Sequence, residues 1–473
     1  MSLPTLMARS ADGAHALAML DTMRALPGRP QDETSRALTR EEMPGDRARR
    51  ILEATAELVG EHGYSGFKIE DLIRRAGVGL PTVRKRFGDK RGCYLALLDC
   101  AAEEAESKCR EGFEAQRGRQ AAKRAAAIEG LFELAAANPA TARACLIEPF
   151  AAGPEAIERY RKALTEIARV LQQGRTPGSA RSGAAKALEE ELMAAAAVWL
   201  PAGCLLDEEA ERIGKSAGRV AEFVGALQVG GGKRDKRRTG PRAGKRAPTG
   251  NERRDERDDE AALGPLPAGR HRLPHAAVKR SQRERLLAGV ASATTAKGYP
   301  ALTVSDVIDE ARVSRRVFYE LFEDKEGCFL AAWEVVAAHV GQLASGAAAS
   351  EEGDPPRQVI AALGAVLDFL ATEPELARFC LVEGLAAGVV GVEHYREAVG
   401  QFAAALRETG AAIGSPPEGT EELLLGALAM ALSLRIATEG SGQLPKLAPA
   451  LGAYLLGPYL GAAEAMRVAR AIS

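Results

Sequence analysis

The stretch Val304-Ser-Asp-Val-Ile-Asp-Glu-Ala-Arg-Val-Ser-Arg-Arg-Val-Phe-Tyr-Glu-Leu-Phe-Glu-Asp-Lys325 decides the fold. Val304, Val307, Ile308 and Ala311 recur at helical spacing, so one face of a short helix is buried. Thr303 followed three residues later by Asp306 has the form of a capping box and marks its start. Ser314 is a good N-cap for a second helix, with Val317, Phe318, Leu321 and Phe322 inward and Arg315, Arg316 and Tyr319 outward. Two helices in about twenty residues, the second opening on basic and hydroxyl groups, make the helix-turn-helix layout that enters a DNA major groove.

The stretch occurs twice. Ile69 to Lys90 aligns without a gap to Val304 to Lys325, an offset of 235 positions. Asp71/Asp306, Ile73/Ile308, Ala76/Ala311, Val78/Val313, Phe87/Phe322, Asp89/Asp324 and Lys90/Lys325 are identical pairs. The offset persists from His62 to about Gly174, so whole domains are duplicated. It then becomes 231, where Glu190-Glu-Leu-Met matches Glu421-Glu-Leu-Leu, so a loop of the second copy is about four residues shorter.

Working outward, the organisation is all-α. Residues 1–45 read as a disordered leader, with Met43 a possible start. Residues 46–62 form a first helix that Gly63 stops. Asp89 caps a long helix to about Gln116, and further helices cover about 121–137, the approach to Pro149, and a stripe of Ile157, Tyr160, Leu164, Ile167 and Leu171. The second copy repeats that stripe with Val392, Tyr395, Val399, Phe402 and Leu406. Each copy ends in two helices, about 185–203 and 207–228, then 418–438 and 446–470, with an interruption expected at Gly457-Pro458. Residues 229–280 carry 15 Lys/Arg against 7 Asp/Glu and few apolar residues, and read as a disordered linker. As a flexible coil it spans roughly 40 Å, comparable to the ~34–36 Å between half-sites one DNA turn apart.

Composition narrows the class. The chain has 473 residues, too many for one core, with 46% hydrophobic but only 5% aromatic residues, which favours helices over sheets. The net charge of −1 says nothing of nucleic acid by itself. No apolar run approaches the roughly 20 residues of a membrane span. The seven scattered cysteines fit reduced core thiols in a cytoplasmic protein, and the six histidines show no metal-ligand spacing. No nucleophile–base arrangement, phosphate loop or paired carboxylate stands out, so neither an enzyme nor a cofactor is expected.

At Gly298-Tyr299, Thr303-Val304, Ile308, Ala311, Val313-Ser314, Phe318-Tyr319, Phe322 and Asp324-Lys325-Glu326 the chain resembles the TetR family of transcriptional regulators. The first copy carries the resemblance at Gly63-Tyr64, Ile69, Ala76-Gly77-Val78, Phe87 and Asp89-Lys90. The resemblance implies two tandem units: helix-turn-helix domains at 46–100 and 281–335, each followed by a helical ligand-binding and dimerisation domain, 101–228 and 336–473. It implies double-stranded operator DNA as partner, a small-molecule effector, no membrane, and either an intramolecular pseudo-dimer or a homodimer. By resemblance, Lys68, Gly79, Leu80, Pro81, Thr82, Arg84, Lys85 and Lys90 face DNA in the first copy. In the second copy Thr303, Ser314, Arg315, Arg316, Tyr319 and Lys325 do so. A pocket among Phe132, Tyr160, Phe369, Phe379, Tyr395 and Phe402 is the corresponding expectation for the effector.

Both copies depart from the family pattern. Arg84 stands where the family has Tyr, and Lys68 where it has Thr. Arg312 stands at the turn glycine, which is awkward if that residue needs a positive φ. A second reading rests on these departures: a helical scaffold for a ligand or a protein, with one or both reading heads degenerate.

Overall fold

A computed structural model describes residues 46–173, 183–206, 210–227 and 275–472. The leader, and the basic stretch up to residue 274, lie outside them. The described residues form helices and no strands, in the duplicated order that the alignment requires.

In the first half, α1 (Asp46–Gly66) buries Ile51, Leu58 and Val59 and loses helical geometry at Gly63 (φ 68°). Then come α2 (Ile69–Ala76), α3 (Leu80–Phe87), α4 (Lys90–Ala115), α5 (Gln120–Ala137), α6 (Pro139–Leu146), α7 (Pro154–Leu171), α8 (Gly183–Leu206) and α9 (Ala210–Leu227). Asp89 caps α4 by accepting from the Gly92 N–H at 2.8 Å. The second half repeats this. Its helices are α10 (His275–Lys297), α11 (Val304–Ala311), α12 (Arg315–Leu321), α13 (Lys325–Ser350), α14 (Pro355–Thr372), α15 (Pro374–Arg378), α16 (Val389–Gly410), α17 (Thr420–Glu439), α18 (Ala448–Leu460) and α19 (Ala462–Ile472).

Three details differ from the sequence reading. First, α10 begins at His275, inside the stretch assigned to the linker, because Ala276, Ala277 and Val278 extend a good helix-forming run. Second, the break in the last helix falls at Gly461 (φ 80°), not at Gly457-Pro458: Pro458 stays within α18, and glycine supplies the positive φ three residues later. Third, α15 widens into a π-helical turn, Phe379–Glu383, in which the Gly384 N–H reaches back to the Phe379 carbonyl. One described helix, α13, is long and apolar enough to cross a membrane by length and composition. Here Cys328, Phe329, Ala332 and Trp333 spend its apolar surface on the core.

The halves meet through α8 and α17. Trp199 of α8 lies against Gly426 of α17 so closely that a methyl group there would collide with the indole. The Trp199 ring also sits 6.1 Å from that of Tyr395. Arg435 of α17 donates two hydrogen bonds to the Glu191 carboxylate of α8, at 2.7 and 2.9 Å. As a result, the core of the first regulatory half runs continuously into the second half, whereas the core of the first head stands apart.

Candidate nucleic-acid interface and the cavity behind it

The second head is capped as its sequence requires. Thr303 accepts from the Asp306 N–H, and Asp306 accepts from the Thr303 N–H at 2.9 Å. Ser314 accepts from the Val317 N–H at 3.3 Å. Lys297 and Thr303 together hold the Asp306 carboxyl at about 2. Arg315, Arg316 and Tyr319 are exposed along α12; Tyr319, 51% exposed, is the one large apolar side chain left outside among the described residues. The Arg315 guanidinium lies 5.9 Å from the Tyr319 ring centre, and Arg316 pairs with Glu320 at 2.7 Å.

Arg312 does adopt the left-handed conformation (φ 52°, ψ 46°), as Gly77 does in the first copy (φ 61°). Such a residue costs roughly 1–2 kcal/mol. Arg285 offsets part of it by forking onto the Ala311 carbonyl at 2.6 and 3.0 Å and onto that of Arg312. The departure is therefore accommodated, and the turn keeps its shape.

In the first head, α3 starts from Gly79, with Leu80 and Pro81 in its first turn. Arg84, Lys85 and Pro81 are exposed on it, and Thr82 is half-buried. Lys68 is the exposed N-cap of α2 and makes no side-chain capping bond. Lys90 and Lys325 sit elsewhere. The Lys90 ammonium lies 4.7 Å from the Tyr64 ring centre and 4.5 Å from that of Phe67. Lys325 lies over Tyr299 and donates to the Tyr299 and Leu302 carbonyls at 3.3 and 2.9 Å. Burial lowers both ammonium pKa values. These two lysines knit each head internally, apart from the exposed residues of α3 and α12.

The sequence reading missed a matched pair of acids. Glu148 accepts from the Tyr64 N–H, and Glu383 from the Tyr299 N–H, each at 2.9 Å and each buried. Both join the regulatory half to the end of the first helix of the head, where Gly63 and Gly298 turn the chain. Burial raises both carboxyl pKa values. Glu383 also pairs with Arg378 at 3.1 Å. The only signal in the sequence was that Arg143/Arg378 and Glu148/Glu383 are identical at the shared offset.

Behind the second head lies an apolar cavity of about 460 Å³. It is lined by α13, α14, α16 and α17, by Cys380 and Leu381 of the π turn, and by Leu455 of α18. Of the aromatic residues expected at a pocket, Tyr395 and Phe402 line it. Phe369 and Phe379 are buried in the surrounding core, and Phe132 and Tyr160 in the core of the first half. The Tyr395 hydroxyl bonds to Ser433 Oγ at 2.8 Å, whereas the Tyr160 hydroxyl is buried without a hydrogen-bond partner among the described residues. Among the described residues no His/Cys/Asp/Glu group has a metal-holding arrangement. All seven cysteines are free, and burial pushes the Cys93 and Cys328 thiols up to about 12.

The sequence model of "Bacterial regulatory proteins, tetR family" matches residues 51–97 and 287–332, which are the two heads. The uncharacterized HTH-type transcriptional regulator YezE of Bacillus subtilis (strain 168) is 29% identical over 97 residues, 20% of this chain and 49% of that protein. The match thus spans about half the length of that relative. The structure of the fatty acid degradation regulator FadR from Bacillus halodurans aligns over 39% of this chain and 96% of that one, with 16% identity and a TM-score of 0.35. Two stretches of the chain, one in each head, thus match the tetR family of bacterial regulatory proteins.

Proposed function

We propose that this DNA-binding transcriptional regulator is a repressor that grips its operator with two unlike heads of one chain, paired as an intramolecular pseudo-dimer, and releases it when a small molecule enters the second regulatory half. The observation that carries the reading is the seat of Trp199 on Gly426. At the offset of 231 that aligns these helices, Trp199 corresponds to Met430 and Gly426 to Ala195. Two first halves facing each other would set the indole against the Ala195 methyl, so the shape favours unlike halves. The bidentate Arg435–Glu191 pair adds to this preference, because Cys204 corresponds to Arg435. A covalent link raises the effective concentration of the partner half to roughly millimolar.

In this reading the first head contacts DNA through Lys68, the Gly79–Thr82 turn, Arg84 and Lys85, and the second through Thr303, Ser314, Arg315, Arg316 and Tyr319. Lys90 and Lys325 support the heads from within. Because the two sets differ, the operator has unlike half-sites.

The test is binding-site selection with the full chain, combined with its solution mass. A species of 50.0 kDa that selects two unlike half-sites, and loses affinity on both Arg84→Ala and Tyr319→Ala, is expected. A larger assembly selecting a perfect inverted repeat would overturn the reading.

A further inference from the structure

The cavity belongs to the second half for a reason visible in matched residues. At the offset of 235, Ala348 and Val359, which line it, correspond to Phe113 and Arg124. Both of those are buried, and Arg124 donates to the Leu171 carbonyl at 2.7 Å. Larger side chains thus occupy the equivalent space in the first half. Helix spacing acts in the same direction. Gly112 of α4 lies so close to Ala126 of α5 that a methyl group there would strike the Ala126 carbonyl, and one on Gly130 would lie 3.1 Å from the Lys108 carbonyl. The second half has Ala347 and Ala365 at these positions, so α13 and α14 cannot close up in the same way.

The lining is almost wholly hydrocarbon. Its one charged residue is Glu408, exposed on α16; Ser345 and Thr409 are half-buried. Among the described residues no Lys or Arg lines it, so an acid or a phosphate inside would be a buried charge without a partner. The volume suits a ligand on the order of fifteen non-hydrogen atoms, at roughly 30 Å³ each.

The cavity wall is also the wall of the second head's latch. Cys380 and Leu381 line the cavity, and Glu383 of the same π turn holds the Tyr299 N–H. Trp333, another lining residue, donates its indole N–H to the Cys380 carbonyl at 2.9 Å. Gly384 lets that indole approach, because a methyl group there would lie 2.6 Å from Nε1. π turns inserted in α-helices are frequent at functional sites. In the first half the equivalent segment ends α6 without a π turn, and the Tyr94 hydroxyl bonds to the Ala144 carbonyl at 2.8 Å.

We infer that the cavity takes an uncharged aliphatic ligand, and that its occupancy is read by the second head alone, with Glu383 as the positioning residue that transmits it. This rests on the reading of the protein as an effector-released repressor. Filling the cavity displaces the Trp333–Cys380 wall, the wall is continuous with Glu383, and Glu383 sets where α10 enters the head.

The experiment uses the full chain and its selected operator, with 1-decanol as probe and decanoate as its charged counterpart. Saturable thermal stabilisation by decanol is expected, at least tenfold weaker with decanoate. Ala348→Phe, which installs the first half's own residue, should abolish it; so should Ser345→Trp at the rim if the first variant does not fold. Decanol should lower affinity for the operator at least tenfold while leaving contacts to the first head's half-site in place. Glu383→Leu, which has no acceptor for the Tyr299 N–H, should still bind decanol within about threefold yet lose most of that response. Equal binding of decanoate, or an undiminished response in Glu383→Leu, overturns the inference. DNA release by a charged effector, with decanol unbound, overturns the ligand class and leaves the repressor reading intact. Failure of the unliganded chain to bind any selected DNA removes the repressor reading itself.

Discussion

The two regulatory halves share a helix order and diverge in how tightly their helices close. In the first, α4 and α5 touch through Gly112 and Gly130, and Phe113 and Arg124 fill the interior. In the second, alanines stand at the matching positions of α13 and α14, and both helices line a cavity. A few side chains at one seam therefore decide whether a duplicated domain is a packed support or a receptacle. Core packing leaves little slack, so a single methyl group at a helix contact is felt across the interface.

Substitutions can break this comparison, starting where the halves meet. Trp199→Ala should cost about 3–5 kcal/mol, the range for large buried aromatic residues; a denaturant melt combined with mass measurement checks it, and an unchanged midpoint would remove the indole from the pairing. Next, Gly112→Ala should destabilise by about 1–3 kcal/mol through overpacking, while the mirror change Ala347→Gly should cost only about 1 kcal/mol through helix propensity. Equal costs would mean that the seam does not set the spacing. Tyr160→Phe should be neutral or stabilising by about 1 kcal/mol, since it removes a buried hydroxyl with no partner, and Tyr395→Phe should cost about 1 kcal/mol. Ala202 corresponds to Ser433, so Ala202→Ser should reverse the sign at Tyr160 by supplying the missing partner. Arg312→Gly should stabilise the second head by about 1 kcal/mol, whereas Gly77→Ala should destabilise the first by a similar amount; thermal melts of the two variants and their parent compare them.

The smallest effect is one of pH. Asp306 is held below its ordinary 3.8, at about 2. A depressed carboxyl contributes stability that is present above 3.8 and is lost as pH falls through about 2. Lys68 stands at the matching cap of the first head, which lacks the hydroxyl–carboxylate pair. Amide exchange should therefore show α11 loosening over that window by a step that α2 lacks.

Much of the fold was legible because its signals are local. The stripe from Ile157 to Leu171, the Asp89 and Asp324 caps and the Thr303 capping box each fix a helix within a few residues. The exposed residues of α3 and α12 were legible for the same reason. What stayed hidden depends on distance between segments. Nothing in the turn after α6 announces that Glu148 reaches Tyr64, 84 residues away. The resemblance places Lys90 and Lys325 facing DNA, and the aromatic rings beneath them are not recognisable as partners until the chain is folded. Of the six aromatic residues expected at a pocket, Tyr395 and Phe402 line the cavity, while small lining residues such as Ala348 carry no signal of their own in the sequence.

The joining of α8 to α17 within one chain has a consequence for copy number. Two separate subunits drift apart as they are diluted, and a regulator built from them loses its grip when only a few molecules remain. A partner tethered at roughly millimolar effective concentration does not thin out with the solution around it. If the two halves work as the proposed pseudo-dimer, a cell could keep such a protein at a handful of molecules, and its operator would still be occupied in proportion to their number rather than to its square.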